Sequence, residues 1–238
     1  MCTLTYLPHG DDFAMVSSRD EQRSRGVMGA PVPDPKPDAF YPMDVASGGT
    51  WFLDKPGSFT LNVLNGGHVA HRRTPPYKHS RGLVPLRFVE LGSTEHFLSE
   101  YEFEGLEPFS LVVVEHEPRR VSTIVWTGTI VDHIEQNPGE PHIWSSATLY
   151  DEAARSRRVD WFKAMLSEPT NERPIERLLR FHRSGGSHWP DGAQRILVQR
   201  GNDLGTICHV AVEHSTAKDR MYFHDLTDGH EQWIDLRG

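Results

Sequence analysis

Cys2 stands directly behind the initiator methionine, at the head of the alternating stretch Cys2-Thr3-Leu4-Thr5-Tyr6-Leu7. A side chain this small lets the initiator be clipped, and residue 2 would then carry a thiol and a free α-amine. Such an amine titrates at about pH 8 and can take the thiol proton, so one residue would hold both nucleophile and general base. The same cysteine also reads as a small hydrophobe buried at the start of an edge strand, and position alone does not choose between the two.

Other chemistry-bearing residues follow at short range. Ser17-Ser18-Arg19-Asp20-Glu21 lies beyond a turn expected at His9-Gly10-Asp11-Asp12, so a hairpin would return Arg19 and Asp20 towards Cys2. An arginine there stabilises a thiolate and a carboxylate holds an α-ammonium, from which a depressed Cys2 thiol pKa is expected once Met1 is gone. Arg23 and Arg25 extend the charge cluster, so a solvated polar turn fits as well. Ser47-Gly48-Gly49-Thr50-Trp51 offers close backbone approach, and Asn65 ends an apolar strand where its amide would suit an oxyanion or simply a turn.

Arg72, Arg73, Lys78 and Arg81 share a loop with His68, His71 and His79. The cations read as a solvated face, or as a rim for a carboxylate, phosphate or haem propionate. His68 and His71 have a metal-ligand spacing, yet 14 histidines make chance spacing easy, and neither a metal nor a cofactor is expected. Cys208 and His182 read as core residues.

These residues need elements to position them. Strands are expected at 3–7, 13–17, 51–53, 59–64, 109–114, 121–126 and 130–134, with the first four in one sheet. Residues 26–49 hold Pro31, Pro33, Pro35, Pro37 and Pro42 and are expected to be an irregular ordered wrap. Residues 83–98 read as a helix broken by Pro85 and Gly92. The strongest helical pattern runs from Tyr150 to Leu166, with Val159, Phe162 and Leu166 on one face, and a second from Pro174 to His182. Strands return at 195–199, 206–212, 220–224 and 232–236. This order predicts an α+β layered fold with a mostly antiparallel sheet.

The chain has 238 residues without an evident linker, and a single domain over 1–238 is expected. A net charge of −8 argues against a nucleic-acid binder. No apolar run has the ~20 residues of a membrane span. The N-terminus lacks a basic segment followed by an apolar core, so neither a signal peptide nor a lipid anchor on Cys2 is expected. Two cysteines suit a reducing compartment, and a cytoplasmic location is expected.

Taken in order, Met1-Cys2 with its strand, Ser18-Arg19-Asp20-Glu21, Gly48-Gly49-Thr50-Trp51 and Asn65 resemble the NRDE family, also called the transport and Golgi organisation family. Ser80-Arg81-Gly82, His142-Ile143-Trp144-Ser145-Ser146 and Leu204-Gly205-Thr206 resemble weaker motifs further along. The family is similar to N-terminal-nucleophile hydrolases, which implies a four-layer αββα sandwich. The resemblance implies Cys2 as nucleophile, its own amine as base, Arg19 and Asp20 as their support and Asn65 at the oxyanion, all meeting at one end of the sheet. Trp51, Arg72, Arg73, Arg81 and Ser146 are expected to contact a small, anionic substrate or ligand. The reaction implied is hydrolysis of a non-peptide amide or acyl bond. The alternative is a non-catalytic carrier of a haem or acyl ligand in the same cleft. Ser18, Ser146 and Ile207 replace the family's asparagine, asparagine and arginine, which touches the activity more than the fold.

Overall fold

The computed structural model describes residues 2–25, 28–34 and 38–237. The chain forms two compact units, one of residues 1–25 and 139–238, the other of residues 26–138. The fold is α+β, and the pairings within both sheets are antiparallel.

In the first unit β1 (Cys2–His9) and β2 (Asp12–Gln22) form the expected hairpin, turned at Gly10 with φ +60°. Alternation sends Cys2, Leu4 and Tyr6 to one face of β1 and Thr3, Thr5 and Leu7 to the other.

The second unit carries β3 (Met28–Asp34), β4 (Ala39–Asp44), β5 (Phe52–Lys55) and β6 (Phe59–Asn65), ordered consecutively with three later strands in one sheet. The proline-rich stretch is therefore regular over much of its length, which corrects the expected irregular wrap. Pro31 lies within a register shift between Gly29 and Val32, and Pro33 pairs with Phe40 where the ladder resumes. Among the described residues β3 is the edge strand beside β4, and edges and bulges are where prolines are tolerated. After β6 come α1 (Val84–Leu91) and α2 (Thr94–Glu100), separated at Gly92 with φ +81°. They pack through Phe88, which meets Phe59 edge-on at 5.0 Å and Phe97 at 5.1 Å. β7 (Phe109–His116), β8 (Arg119–Trp126) and β9 (Val131–Gln136) complete the sheet.

The chain then returns to the first unit. β10 (His142–Ser145) pairs with β1, and α3 (Glu152–Ser167) and α4 (Pro174–Ser184) follow. β11 (Gln199–Arg200), β12 (Leu204–His214), β13 (Asp219–Asp225) and β14 (Glu231–Asp235) close the sheet, with β12 beside β2. Leu7, Ala14 and Val16 form one core with Phe162 and Met165 of α3 and Ile175, Leu178 and Phe181 of α4, so both helices cover the same sheet face. The expectation that 3–7, 13–17, 51–53 and 59–64 share a sheet is wrong: the two hairpins sit in different sheets. The partner of β2 comes from nearly 200 residues away, and no local pattern encodes that choice.

α3 packs through Phe162 and Met165 with Leu166 partly buried against the same core, close to the expected face, while Val159 is half-buried and Ala154 and Arg158 extend the buried stripe towards the N-terminus. No described helix is long and apolar enough to cross a membrane.

Candidate active site

Cys2 opens β1 and lies directly across from Arg19 on β2. Arg19 in turn lies across from Cys208 on β12, and Cys208 across from Asp225 on β13. Directly paired residues share a face, so these four side chains make one row across the sheet. Both cysteines are free, and two strand spacings separate them, too far for a disulfide. Arg19 is itself buried, and its Nη2 stands 3.9 Å from Glu21.

The backbone nitrogen of Cys2 donates to Ser146 Oγ at 3.2 Å, and Ser146 N donates to the Cys2 carbonyl at 3.1 Å. Ser146 thus grips residue 2 at both ends of its backbone. A hydroxyl can accept from an ammonium or donate to a neutral amine, which suits a nitrogen that would change protonation. The Cys2 side chain is only 2% exposed, and burial pushes its thiol pKa up. Asp20 and Glu21 add to the rise and Arg19 opposes it. With Met1 in place, burial outweighs the nearby positive charges of the chain-terminal ammonium and of Arg19; the depression expected once Met1 is gone concerns the processed chain.

Asp20 follows Arg19 and so points to the opposite face, the one covered by α3 and α4. It lies one step past the Cys2–Arg19 pair, at the corner where the residue-2 nitrogen emerges. Its Oδ1 accepts from Thr206 Oγ1 at 2.7 Å and its Oδ2 from Tyr150 OH at 2.5 Å. Burial raises the Asp20 pKa, while Arg158, Thr206 and Tyr150 pull it back. Tyr150 is held far above the ordinary phenol range by burial and by the Asp20 charge, so it stays a proton donor to the carboxylate.

Arg158 is fully buried. Its Nη1 donates to Thr3 Oγ1, its Nη2 to the Arg195 carbonyl, and its Nε to the Gln194 carbonyl at 3.3 Å. Its guanidinium carbon lies 3.5 Å from the centre of the Tyr150 ring. Its charge also favours the ionised form of Asp20 from a distance. Sequence reasoning missed Thr3, Tyr150, Arg158 and Thr206. For Arg158 a signal existed: it sits four residues from both Ala154 and Phe162, on the stripe that faces inward.

Ile207 is the extra residue of a β-bulge, since Thr206 pairs with Asp20 and Cys208 with Arg19. The bulge puts the Thr206 hydroxyl on the Asp20 face while Cys208 stays in the Arg19 row. Ser18 faces the helices and bonds His182 Nδ1 at 2.6 Å and His209 Nδ1 at 3.1 Å, and His182 Nε2 bonds Thr5 at 2.9 Å. His182 is a satisfied core histidine, as its apolar stripe suggests.

Asn65 and Trp51 belong to the second unit. Asn65 closes β6 opposite Phe109, and Trp51 is buried just ahead of β5. The Gly-Gly motif before Trp51 has a steric cause. A Cβ on Gly49 would lie 2.5 Å from the Gly82 carbonyl carbon, and Thr50 N donates to Gly82 O at 2.8 Å. The glycines of the Gly-Gly-Thr-Trp and Arg-Gly segments are thus two sides of one backbone contact. Arg81 Nη2 and Arg73 Nε approach Glu107 at 3.3 and 3.8 Å, and His71 bonds the same carboxylate at 3.2 Å. Arg72 is exposed. The structure therefore brings Cys2, Arg19, Asp20 and Ser146 to one corner and gathers Arg73 and Arg81 around Glu107.

Several solved structures share this fold. A Caenorhabditis elegans N-acylethanolamine-hydrolysing acid amidase ortholog superposes with a TM-score of 0.55 at 10% identity, over 88% of this chain and 92% of that one. The conjugated bile acid hydrolase of Clostridium perfringens, as a cysteine-to-alanine mutant, gives 0.56 at 8% identity over 100% and 94%. An arginine-to-leucine variant of that hydrolase gives 0.53 at 8% identity with the same coverage. These are enzymes of N-terminal-nucleophile hydrolase type, and at such identities the likeness concerns the fold. A search of curated proteins by sequence finds no match. The family profile described as Transport and Golgi organisation 2 matches residues 1–221, across both units, and the chain belongs to that family.

Proposed function

We propose that this protein is a cysteine hydrolase of non-peptide amides or related acyl bonds, with Cys2 as nucleophile after removal of Met1. The observation that carries the reading is the Ser146 hydroxyl 3.2 Å from the Cys2 nitrogen, beside a thiol aligned with Arg19. The fold shared with an amidase and a bile acid hydrolase supports it.

In this reading the free α-amine of Cys2 takes the thiol proton, which burial otherwise retains on sulfur. Sulfur attacks the acyl carbon, and the Asn65 amide donates to the developing oxyanion. The ammonium then protonates the leaving amine as the carbon–nitrogen bond breaks, giving a thioester. Water attacks the thioester with the amine as base and restores the thiol. Asp20, fixed by Tyr150, Thr206 and Arg158, steadies the ammonium form. Trp51, Arg72, Arg73 and Arg81 contact an anionic part of the substrate, and the setting is the reducing cytoplasm.

Intact mass of the purified protein, combined with turnover of a panel of N-acyl amides, tests this. Loss of Met1, turnover in the native chain and none in a folded Cys2→Ser variant are expected. Quantitative retention of Met1 without turnover would overturn it. A second reading, a non-catalytic carrier of a haem or acyl ligand, is favoured by the depth of the Cys2 thiol. In that case Cys2→Ser would leave ligand affinity unchanged, and Arg72→Gln would weaken it for anionic ligands.

A further inference from the structure

A cavity of about 360 Å3 opens in the first unit, away from the Cys2 row, and its wall carries three arginines, Arg23, Arg183 and Arg195. Among the described residues no carboxylate lines it. That is unusual in a chain of net charge −8, whose other arginines mostly pair with nearby acids. Among the described residues Arg23 makes no ion pair. Its guanidinium lies across Gly205, where an added Cβ would come within 3.2 Å of Nη2. Arg195 spends Nε on the Trp189 carbonyl at 2.7 Å and has no carboxylate partner among the described residues. Arg183 donates to Tyr222 OH at 2.6 Å and stands 4.0 Å from Glu231, at the limit of an ion pair. With only the distant Glu231 to offset Arg183, and no described carboxylate to offset Arg23 and Arg195, the hollow carries positive charge that an anion would relieve.

The chemistry of the wall narrows what that is. Guanidinium groups bind carboxylate and phosphate through paired N–H donors. Three of them supply more charge and more donors than one carboxylate can use. A phosphate monoester carries close to two negative charges and three acceptor oxygens. Beside the cations the wall is apolar at Leu197, Val198 and Leu226. The volume lies at the small end of the ligand-pocket range, room for a phosphate with a compact organic body.

We propose that this cavity is a binding site for a phosphate monoester, its dianion held by Arg23, Arg183 and Arg195 and its organic part against Leu197 and Leu226. The site stands independently of catalysis at Cys2. It does back onto the Asp20 network, because Thr206 lines the cavity and donates to Asp20, and the Arg195 carbonyl accepts from Arg158.

Titration calorimetry with phenyl phosphate as probe tests the proposal on the full chain. Saturable one-site binding is expected for the native protein and for Arg87→Gln, a control that removes an equal charge from an exposed position on α1. Arg23→Gln and Arg183→Gln, both exposed positions, should each weaken binding by about tenfold. Benzoate, the carboxylate counterpart, should bind at least as much more weakly. Hydrogen exchange on the native protein gives a second readout: phenyl phosphate should protect amides in 183–187 and 195–206. No saturation at millimolar probe, equal weakening by Arg87→Gln, or protection confined to other segments would overturn the site. Benzoate binding as tight as phenyl phosphate would overturn the assignment to phosphate.

Discussion

Arg19 lies directly across from Cys2 in the antiparallel ladder of β1 and β2. The pairing puts a guanidinium and a thiol on the same face, and both are buried. Burial alone would hold the proton on sulfur, and Arg19 is the nearby side chain that works against it. The Cys2 nitrogen, bonded to Ser146, is the other means of activating the thiol once it becomes an amine.

The pH dependence of Cys2 alkylation should expose this balance. In a Cys208→Ser background, protein that keeps Met1 should alkylate at Cys2 with a midpoint above that of a free cysteine. Removal of Met1 should bring the midpoint down, because the new ammonium favours the thiolate. A midpoint at or below that of free cysteine in the Met1-bearing form would contradict the role given to burial.

Replacing Arg19 by leucine removes the charge and keeps much of the bulk. The alkylation midpoint should rise further, and N-acyl amide turnover should fall by about two orders of magnitude. Circular dichroism should show the fold retained. Unchanged turnover would remove Arg19 from the site.

Arg158→Met removes the buried guanidinium. Losing its three hydrogen bonds and the charge that favours ionised Asp20 should cost about 1–3 kcal/mol, to be read from urea denaturation. Asp20→Asn in the same chain should recover part of the loss, with a non-zero coupling in the double-mutant cycle. Additive losses would mean that the two side chains do not depend on each other.

Acid should weaken the first unit through its histidines. Burial lowers the His182 pKa well below its usual range and that of His209 to about 3. The folded state thus binds protons less readily than the unfolded one. Their contribution is complete above the unfolded histidine pKa of about 6.5 and is lost as pH falls from there towards about 3. Replacing His209 by glutamine should flatten the stability profile across that window, measured by thermal melts at constant ionic strength.

Gly49→Ala should destabilise by about 1–3 kcal/mol, because the added methyl meets Gly82 backbone that has no flexible end to move. Gly48→Ala meets nothing within 4 Å but has φ +65°, so it should cost about 1–2 kcal/mol from backbone strain alone. Alanine at Gly49 without effect would show that the two motif segments do not touch.

Much of this protein was legible in one dimension. Cys2 at the chain start, the hairpin that returns Arg19 to it, the helix α3 and the strands from β5 to β8 all follow from local rules: alternation, turn residues and apolar spacing act over a few neighbours. The division into two sheets was not local, because β2 takes its partner β12 from the far end of the chain. Regular structure in the proline-rich segment also escaped, since a proline's missing donor matters only when the strand's position in the sheet is known. Arg158 escaped for a related reason. An arginine reads as a surface residue until buried acceptors surround it, and only tertiary packing places Thr3 and the Gln194 and Arg195 carbonyls there. The sequence determined which residues have the chemistry. Packing decided their charges, because burial of Cys2, Asp20 and Tyr150 raises each pKa by an amount that no neighbour in sequence sets.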